Sequence, residues 1–213
     1  SYTSNIYLPI IKKQIKKVSP IKKNYFVVYL PAFDDQKIVS ILSNIHKTNW
    51  VVFSKHTEEK YRCGNVKVKP ISTKGFNKKL INCRGVLCGA GFETPAEALF
   101  LRKKLLVIPM KNQYEQQCNA EALRDMGVPV LYDLNQNGIE DIKSWVKSKK
   151  IVICEYDLNN SLADASFFDF NLEYDNALNV ETNVDPKVLI YYDGTIEYVY
   201  YDEKVTYAIP SLN

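Results

Sequence analysis

Histidine is almost missing from this chain: His46 and His56 are the only two among 213 residues, and neither sits in a motif. Imidazole metal centres and proton relays therefore have little to work with, and no metal site is expected. Cysteine is sparse and unpaired in pattern. Cys63, Cys83, Cys88, Cys118 and Cys154 are odd in number and form no C-x-x-C pair. That fits reduced thiols of a cytosolic protein better than a disulfide frame or a zinc site. No apolar run approaches the roughly 18 residues a membrane helix needs, and no charged start followed by an apolar stretch marks a secretory signal. Strong net charge is lacking too. Twenty-eight Lys and Arg against 24 Asp and Glu leave +4, too mild to make nucleic acid the partner.

What is present is ordinary globular composition, with 46% hydrophobic and 24% charged residues. Fifteen tyrosines among many Lys, Asn and Ile suit an AT-rich bacterial genome. The charge is unevenly spread: Lys12, Lys13, Lys16, Lys17, Lys22 and Lys23 crowd the start, while residues 155–185 hold eight acids and no Lys or Arg. Short apolar runs at 25–30, 50–53, 66–69, 85–88, 105–109 and 128–132 read as strands. Amphipathic stretches at about 36–46, 74–82, 94–101, 115–126 and 138–147 read as helices. Strand and helix in alternation predict an α/β fold, a Rossmann-like parallel sheet of about six strands with helices on both faces.

Residues 1–24 stand outside that pattern. Ile11, Ile15 and Val18 mark one face of a short helix, read as a solvated connector; a basic helix on anionic lipid is the lesser alternative. Residues 25–150 form the expected Rossmann-like domain. Residues 151–213 form an extension in which 187–192, 196–201 and 204–209 read as a small β-hairpin or meander around the Asp193-Gly194 turn. The chain opens on Ser1 rather than Met and is expected to be part of something larger.

The chemistry lies between Val86 and Val130. A buried strand ends at Cys88, and the turn Gly89-Ala90-Gly91 follows. Thr94, Pro95 and Glu97 then match a capping box, with Thr94 as N-cap and Pro95 at the first helical position. By itself that is only a well-started helix. A small-residue turn leading from a strand into a helix, however, frees backbone N–H groups for a phosphate. The run G-x-G-x-x-T lacks the third glycine of a dinucleotide fingerprint and follows the fourth strand, not the first, so an NAD site is not expected. Beyond Pro109, Gln113, Glu115, Gln116, Gln117 and Asn119 gather carboxylate and amide groups at a strand-to-helix corner, suited to a polyhydroxylated ligand.

Together these two halves resemble the nucleotide-sugar domain of GT-B glycosyltransferases. The resemblance is particularly to the group containing the UDP-GlcNAc-dependent enzyme that makes lipid II and the UDP-glucuronosyltransferase-like bacterial proteins. The shared pattern is the small-residue turn, Thr94, Glu97, Pro109, Glu115-Gln116-Gln117 and Asn119-Ala120, within a resemblance covering about residues 25–147. It implies that Glu97 accepts from the ribose hydroxyls and that Thr94, with the turn and helix start at Gly89, Gly91, Phe92 and Glu93, holds the diphosphate. It further implies that Glu115, Gln116 and Gln117 contact the sugar and that the backbone of Ile71 reads uracil. The loop Pro31-Ala32-Phe33-Asp34 falls where the family approaches the phosphates or the acceptor.

Three positions depart from the family. Plant-type members carry His at the position of Gly89, so that phosphate contact is lost. The family's Gly-x-Pro reads Arg102-Lys103-Lys104, so a different turn is expected there. Retaining members carry Glu where Gly89 stands, which implies inversion. The general base, by the same resemblance, belongs to an N-terminal acceptor domain that this chain lacks. The chain is thus expected to be the UDP-sugar-binding half of an inverting hexosyltransferase: inactive alone, free of cofactor, cytoplasmic, with the inner membrane surface a weaker partner. Half of a sugar-nucleotide epimerase and a non-catalytic nucleotide-sugar-binding module remain as alternatives.

Overall fold

The computed structural model describes residues 11–17, 20–153 and two short strands further on; the chain divides into two compact units. In the unit Pro9–Tyr156, six strands form one sheet: β1 (Phe26–Tyr29), β2 (Trp50–Ser54), β3 (Tyr61–Cys63), β4 (Val66–Pro70), β5 (Gly85–Cys88) and β6 (Lys104–Val107). Their order is β3-β4-β2-β1-β5-β6, parallel throughout except where β3 runs antiparallel to β4. The expected Rossmann-like α/β architecture is therefore present.

Strand composition explains the layering. In β1, Phe26 and Val28 join one cluster while Val27 joins the other, the alternation a pleat imposes. Both faces are apolar because both are covered. On one face lie α3 (Thr73–Asn82), α4 (Glu93–Phe100) and α5 (Tyr114–Asp125), whose Phe76, Leu80, Leu99 and Leu123 enter the first cluster. On the other lie α2 (Asp35–Leu42) and α6 (Ile139–Lys147), contributing Ile38, Ile41, Ile142 and Trp145.

The connector is not solvated. Its helix, α1 (Lys13–Lys16), is four residues long, and Ile11 and Ile15 are buried in the core with α3 and α4. Gln14 Oε1 accepts from Asn77 Nδ2 at 3.3 Å. Two β expectations also shift. The run 128–132 pairs with β6 only through one bridge, Val107 to Val130, where Pro129 has no N–H to extend the ladder. The sixth strand is instead β3, three exposed residues turned onto β4 through Gly64 at φ +55°. Helix α2 ends at Leu42 rather than 46, as Asn44 Nδ2 turns back to Ser40 O and Lys47 takes φ +65°.

In the second unit, β7 (Lys187–Ile190) and β8 (Ile196–Val199) pair antiparallel as the expected hairpin. The third expected strand, 204–209, lies outside the described residues, as do Val18 and the acidic stretch 155–185.

Candidate functional site

Connectivity alone selects a place for a ligand. From β1 the chain steps outward to β2 and β4, then crosses back to β5 and β6 on the opposite side of β1. That reversal opens a crevice at the carboxyl ends of β1 and β5. The loops there are Pro31-Ala32-Phe33-Asp34, after β1, and Gly89-Ala90-Gly91, after β5. Asp34 caps α2, accepting from Lys37 N at 2.7 Å.

The glycine turn is held from two sides. Gly89 N donates to Tyr29 O at 3.3 Å, tying it to β1. From α5, Asn119 Nδ2 donates to Ala90 O at 3.1 Å, and Gln116 Oε1 sits 3.2 Å from where a Cβ on Gly89 would be. A side chain at Gly89 would push against that amide, so the residue is glycine for close approach. At Gly91 the reverse holds: a Cβ there would meet nothing within 4 Å. The turn is closed behind and open in front.

Helix α4 begins at Glu93, with Phe92 as N-cap and no side-chain cap. The capping box centred on Thr94 does not form; Thr94 and Pro95 lie within the first turn, where a missing N–H costs no intrahelical bond. The consequence for anions is favourable. The N–H groups of Gly91, Phe92, Glu93 and Thr94 find no acceptor among the described residues, and all four stand at the open turn.

Glu97 lies one turn further along α4. Its side chain is 0% exposed, and neither carboxylate oxygen accepts a hydrogen bond. The nearest cation is Lys12, whose Nζ is 3.3 Å from Oε1 and also contacts Glu93. Burial pushes the Glu97 carboxyl above the usual range, while Lys12 pulls it back. Burial would lower the Lys12 ammonium, but Glu93 and Glu97 outweigh it and hold it above its ordinary value.

The sugar-binding candidates spread over the start of α5. Glu115 and Gln117 are exposed. Glu115 Oε1 accepts from Asn119 Nδ2 at 3.3 Å, so one amide links the carboxylate to the turn. Gln116 is folded inward: its Oε1 accepts from Met110 N at 3.0 Å and its Nε2 donates to Gln113 Oε1 at 2.8 Å. Gln117 borders an open hollow of about 650 Å³ with Pro109, Met110, Tyr114 and Tyr132. Ile71 is exposed at the end of β4, but its N–H already donates to Ser54 O at 2.9 Å; only its carbonyl is left to face a ligand. Among the described residues no three His, Cys, Asp or Glu side chains gather as a metal would require.

The roles of two residues escaped the sequence reading of the site. Asn119 is read from sequence with the groups suited to a polyhydroxylated ligand, but its amide instead fastens the turn. Lys12 lies far from the motif in sequence, and only the burial of Ile11 and Ile15 brings it to Glu97.

No curated protein matches the chain. Similar solved structures include the spinosyn forosaminyltransferase SpnP, at 13% identity and TM-score 0.43, covering 62% of this chain and 36% of that one. The glycosyltransferase VinC in complex with dTDP gives 12% and 0.46, covering 66% and 37%. SnogD from Streptomyces nogalater gives 14% and 0.38, covering 61% and 41%. This chain thus spans well under two thirds of these proteins' lengths. A family model described as glycosyl transferase family 1 matches residues 2–149, most of the chain, and with that match the chain belongs to glycosyl transferase family 1.

Proposed function

We propose that this chain is the donor-binding half of an inverting glycosyltransferase, built to hold a nucleoside diphosphate sugar while a separate domain brings the acceptor and the general base. The observation that carries this reading is Glu97, wholly buried at the switch-point crevice with two carboxylate oxygens that accept no hydrogen bond. Buried acceptors that make no hydrogen bond cost free energy even beside a counter-ion such as Lys12, and ribose 2′- and 3′-hydroxyls are donors of the right number and spacing to satisfy them. The adjoining turn offers what the rest of such a ligand needs. Four free N–H groups at a helix start suit a diphosphate, with the Thr94 hydroxyl beside them. Glu115 and Gln117, exposed at the start of α5, would take the sugar hydroxyls, and Gln116 would shape that pocket from behind.

The carbonyl of Ile71 accepts and cannot donate, which suits the N3–H of uracil. Thymine carries the same N3–H, so it is the ribose 2′-hydroxyl, with Glu97 as its acceptor, that makes UDP rather than thymidine diphosphate the expected nucleotide. With only the donor half present, hydrolysis and transfer are not expected from this chain alone, since an inverting transfer needs a base within reach of the acceptor hydroxyl.

Calorimetric titration with UDP, GDP, ADP and thymidine diphosphate tests the reading. The expected result is selective binding of UDP, with thymidine diphosphate weaker because it lacks the 2′-hydroxyl. Glu97→Ala is expected to weaken UDP by roughly 10- to 100-fold, the cost of losing charged hydrogen bonds. Unchanged affinity in that variant would remove Glu97 from the ribose site. Gln117→Ala is expected to weaken a UDP-sugar but spare UDP; equal losses would move it out of the sugar pocket.

A further inference from the structure

We infer that Lys12, supplied by the connector ahead of the sheet, is an electrostatic part of the donor site: it balances Glu93 and Glu97 so that the mouth of α4 can accept an anionic ligand. The inference rests on the donor-site reading above and extends it to a residue 85 positions from the ribose carboxylate.

The geometry poses a problem that Lys12 solves. A diphosphate drawn to the free N–H groups at the start of α4 would arrive beside two carboxylates of that same helix, Glu93 in its first turn and Glu97 one turn on. Two negative charges next to an anion site oppose binding by Coulomb repulsion, and burial around Glu97 weakens screening. Lys12 Nζ meets both, contacting Glu93 and lying 3.3 Å from Glu97 Oε1. One cation thus offsets one of the two negative charges, and by lying near both it weakens the repulsion of Glu93 and stabilises the ionised form of Glu97, the form able to accept from two hydroxyls.

Other charged groups do not share the task. Lys104 of β6 points to the opposite face of the sheet, where it is committed to carbonyl oxygens of α6 and Ser148, and β1 and β5 bring Tyr29 and the buried Cys88 to the side that α4 covers, neither of them a cation. The neighbouring connector lysines, Lys13 and Lys16, make no ion pair with either acid. Nor is the position of Lys12 accidental to the fold. Ile11, at 3% exposure, and Ile15, at 0%, are anchored in the core on either side of it, so the ammonium is delivered to the site by packing. It remains about one third exposed, free to turn towards a ligand.

The test compares UDP and uridine binding to the full chain and to Lys12→Met, Lys12→Arg, Lys12→Met/Glu93→Gln and Glu97→Ala, with thermal melting of each. Lys12→Met is expected to weaken UDP roughly tenfold, the size of one unit charge acting across a partly buried site, and to weaken uridine much less. Lys12→Arg is expected to stay within about threefold of wild type. Adding Glu93→Gln to Lys12→Met is expected to restore much of the loss, because it returns the cluster to the net charge it carries in wild type.

Wild-type affinity in Lys12→Met, with UDP lost in Glu97→Ala, would overturn the role of Lys12 and leave the donor site standing. Equal losses for uridine and UDP, a lowered melting temperature and no rescue by Glu93→Gln would overturn it too, assigning Lys12 to docking of the connector. A wild-type chain that takes no nucleoside diphosphate would overturn both readings.

Discussion

Glu97 burdens the fold in the same way that it serves a ligand. Its carboxylate lies in a dry place where, among the described residues, it accepts no hydrogen bond and its ion-pair partner is the ammonium of Lys12 at 3.3 Å. Because burial raises its folded-state pKa, the folded protein holds this proton more tightly than the unfolded chain does. The group's contribution to stability is therefore complete below the ordinary Glu value of about 4.3 and is lost as pH climbs through the raised value. Glu97→Gln should accordingly be more stable than wild type near neutral pH, by about 1 kcal/mol, while losing UDP. The advantage should shrink towards zero as the pH falls into the carboxylate range. Paired thermal melts across that range check it, and a wild-type chain that is the more stable at neutral pH would contradict the orphaned carboxylate. Gly89 makes the complementary case: Gly89→Ala sets a methyl 3.2 Å from Gln116 Oε1. The displaced amide would have to release Met110 N, and the expected cost is about 1 kcal/mol, read as a lower urea midpoint.

The elements themselves were largely readable because the strands that matter are buried on both faces. Runs such as Phe26-Val27-Val28 and Gly85-Val86-Leu87 have no polar side to confuse them. Strand β3 was not readable: Tyr61, Arg62 and Cys63 are all exposed, and they pair through a Gly64 turn whose signal is weak. The N-cap of α4 lies two residues earlier than the pattern predicts, at Phe92 rather than Thr94, for a related reason. Thr94, Pro95 and Glu97 fit a capping box on paper, but proline is tolerated anywhere in a first turn, so the spacing could not decide where the helix began. At the end of α4, where Arg102-Lys103-Lys104 predicts a turn different from Gly-x-Pro, the backbone instead keeps the left-handed geometry glycine would provide. Arg102 occupies φ +50°, with Arg102 N on Leu99 O at 2.9 Å and Lys103 N on Ala98 O at 2.8 Å. A left-handed residue with a Cβ costs about 1–2 kcal/mol, so Arg102→Gly should raise stability by about 1 kcal/mol. A denaturant melt showing no gain would mean the arginine side chain offsets the strain. Two residues on, buried Lys104 reaches Val146 O at 2.8 Å and Ser148 O at 2.6 Å, besides Trp145 O, capping the end of α6. Lys104→Met should free those carbonyls and lower stability by about 1–3 kcal/mol.

For the whole molecule, the decisive question is where the compact unit proposed to bind the donor begins. Sequence pattern places the boundary at residue 25, because the connector's lysines read as a solvated face and its apolar stripe of Ile11, Ile15 and Val18 is narrow. Packing favours an earlier start: Ile11 and Ile15 lie in the same cluster as Phe76, Leu80 and Leu99, and Lys12 stands over Glu97. All of the proposed ligand contacts, from Lys12 through Ile71 to Gln117, fall inside the compact unit Pro9–Tyr156. A chain cut to residues 9–156 is therefore expected to fold and to bind UDP as the full chain does. A chain starting at residue 25 should lose the burial of two isoleucines, about 3–6 kcal/mol at 1.5–3 each, a large share of the 5–15 kcal/mol that typically holds a domain. It should also lose the counter-ion of Glu97. Urea unfolding and UDP titration on the two truncations separate the boundaries. Equal stability and affinity in both would return the connector to the status of a solvated linker, whereas loss of both in the shorter chain would make residues 11–17 part of the donor-binding domain.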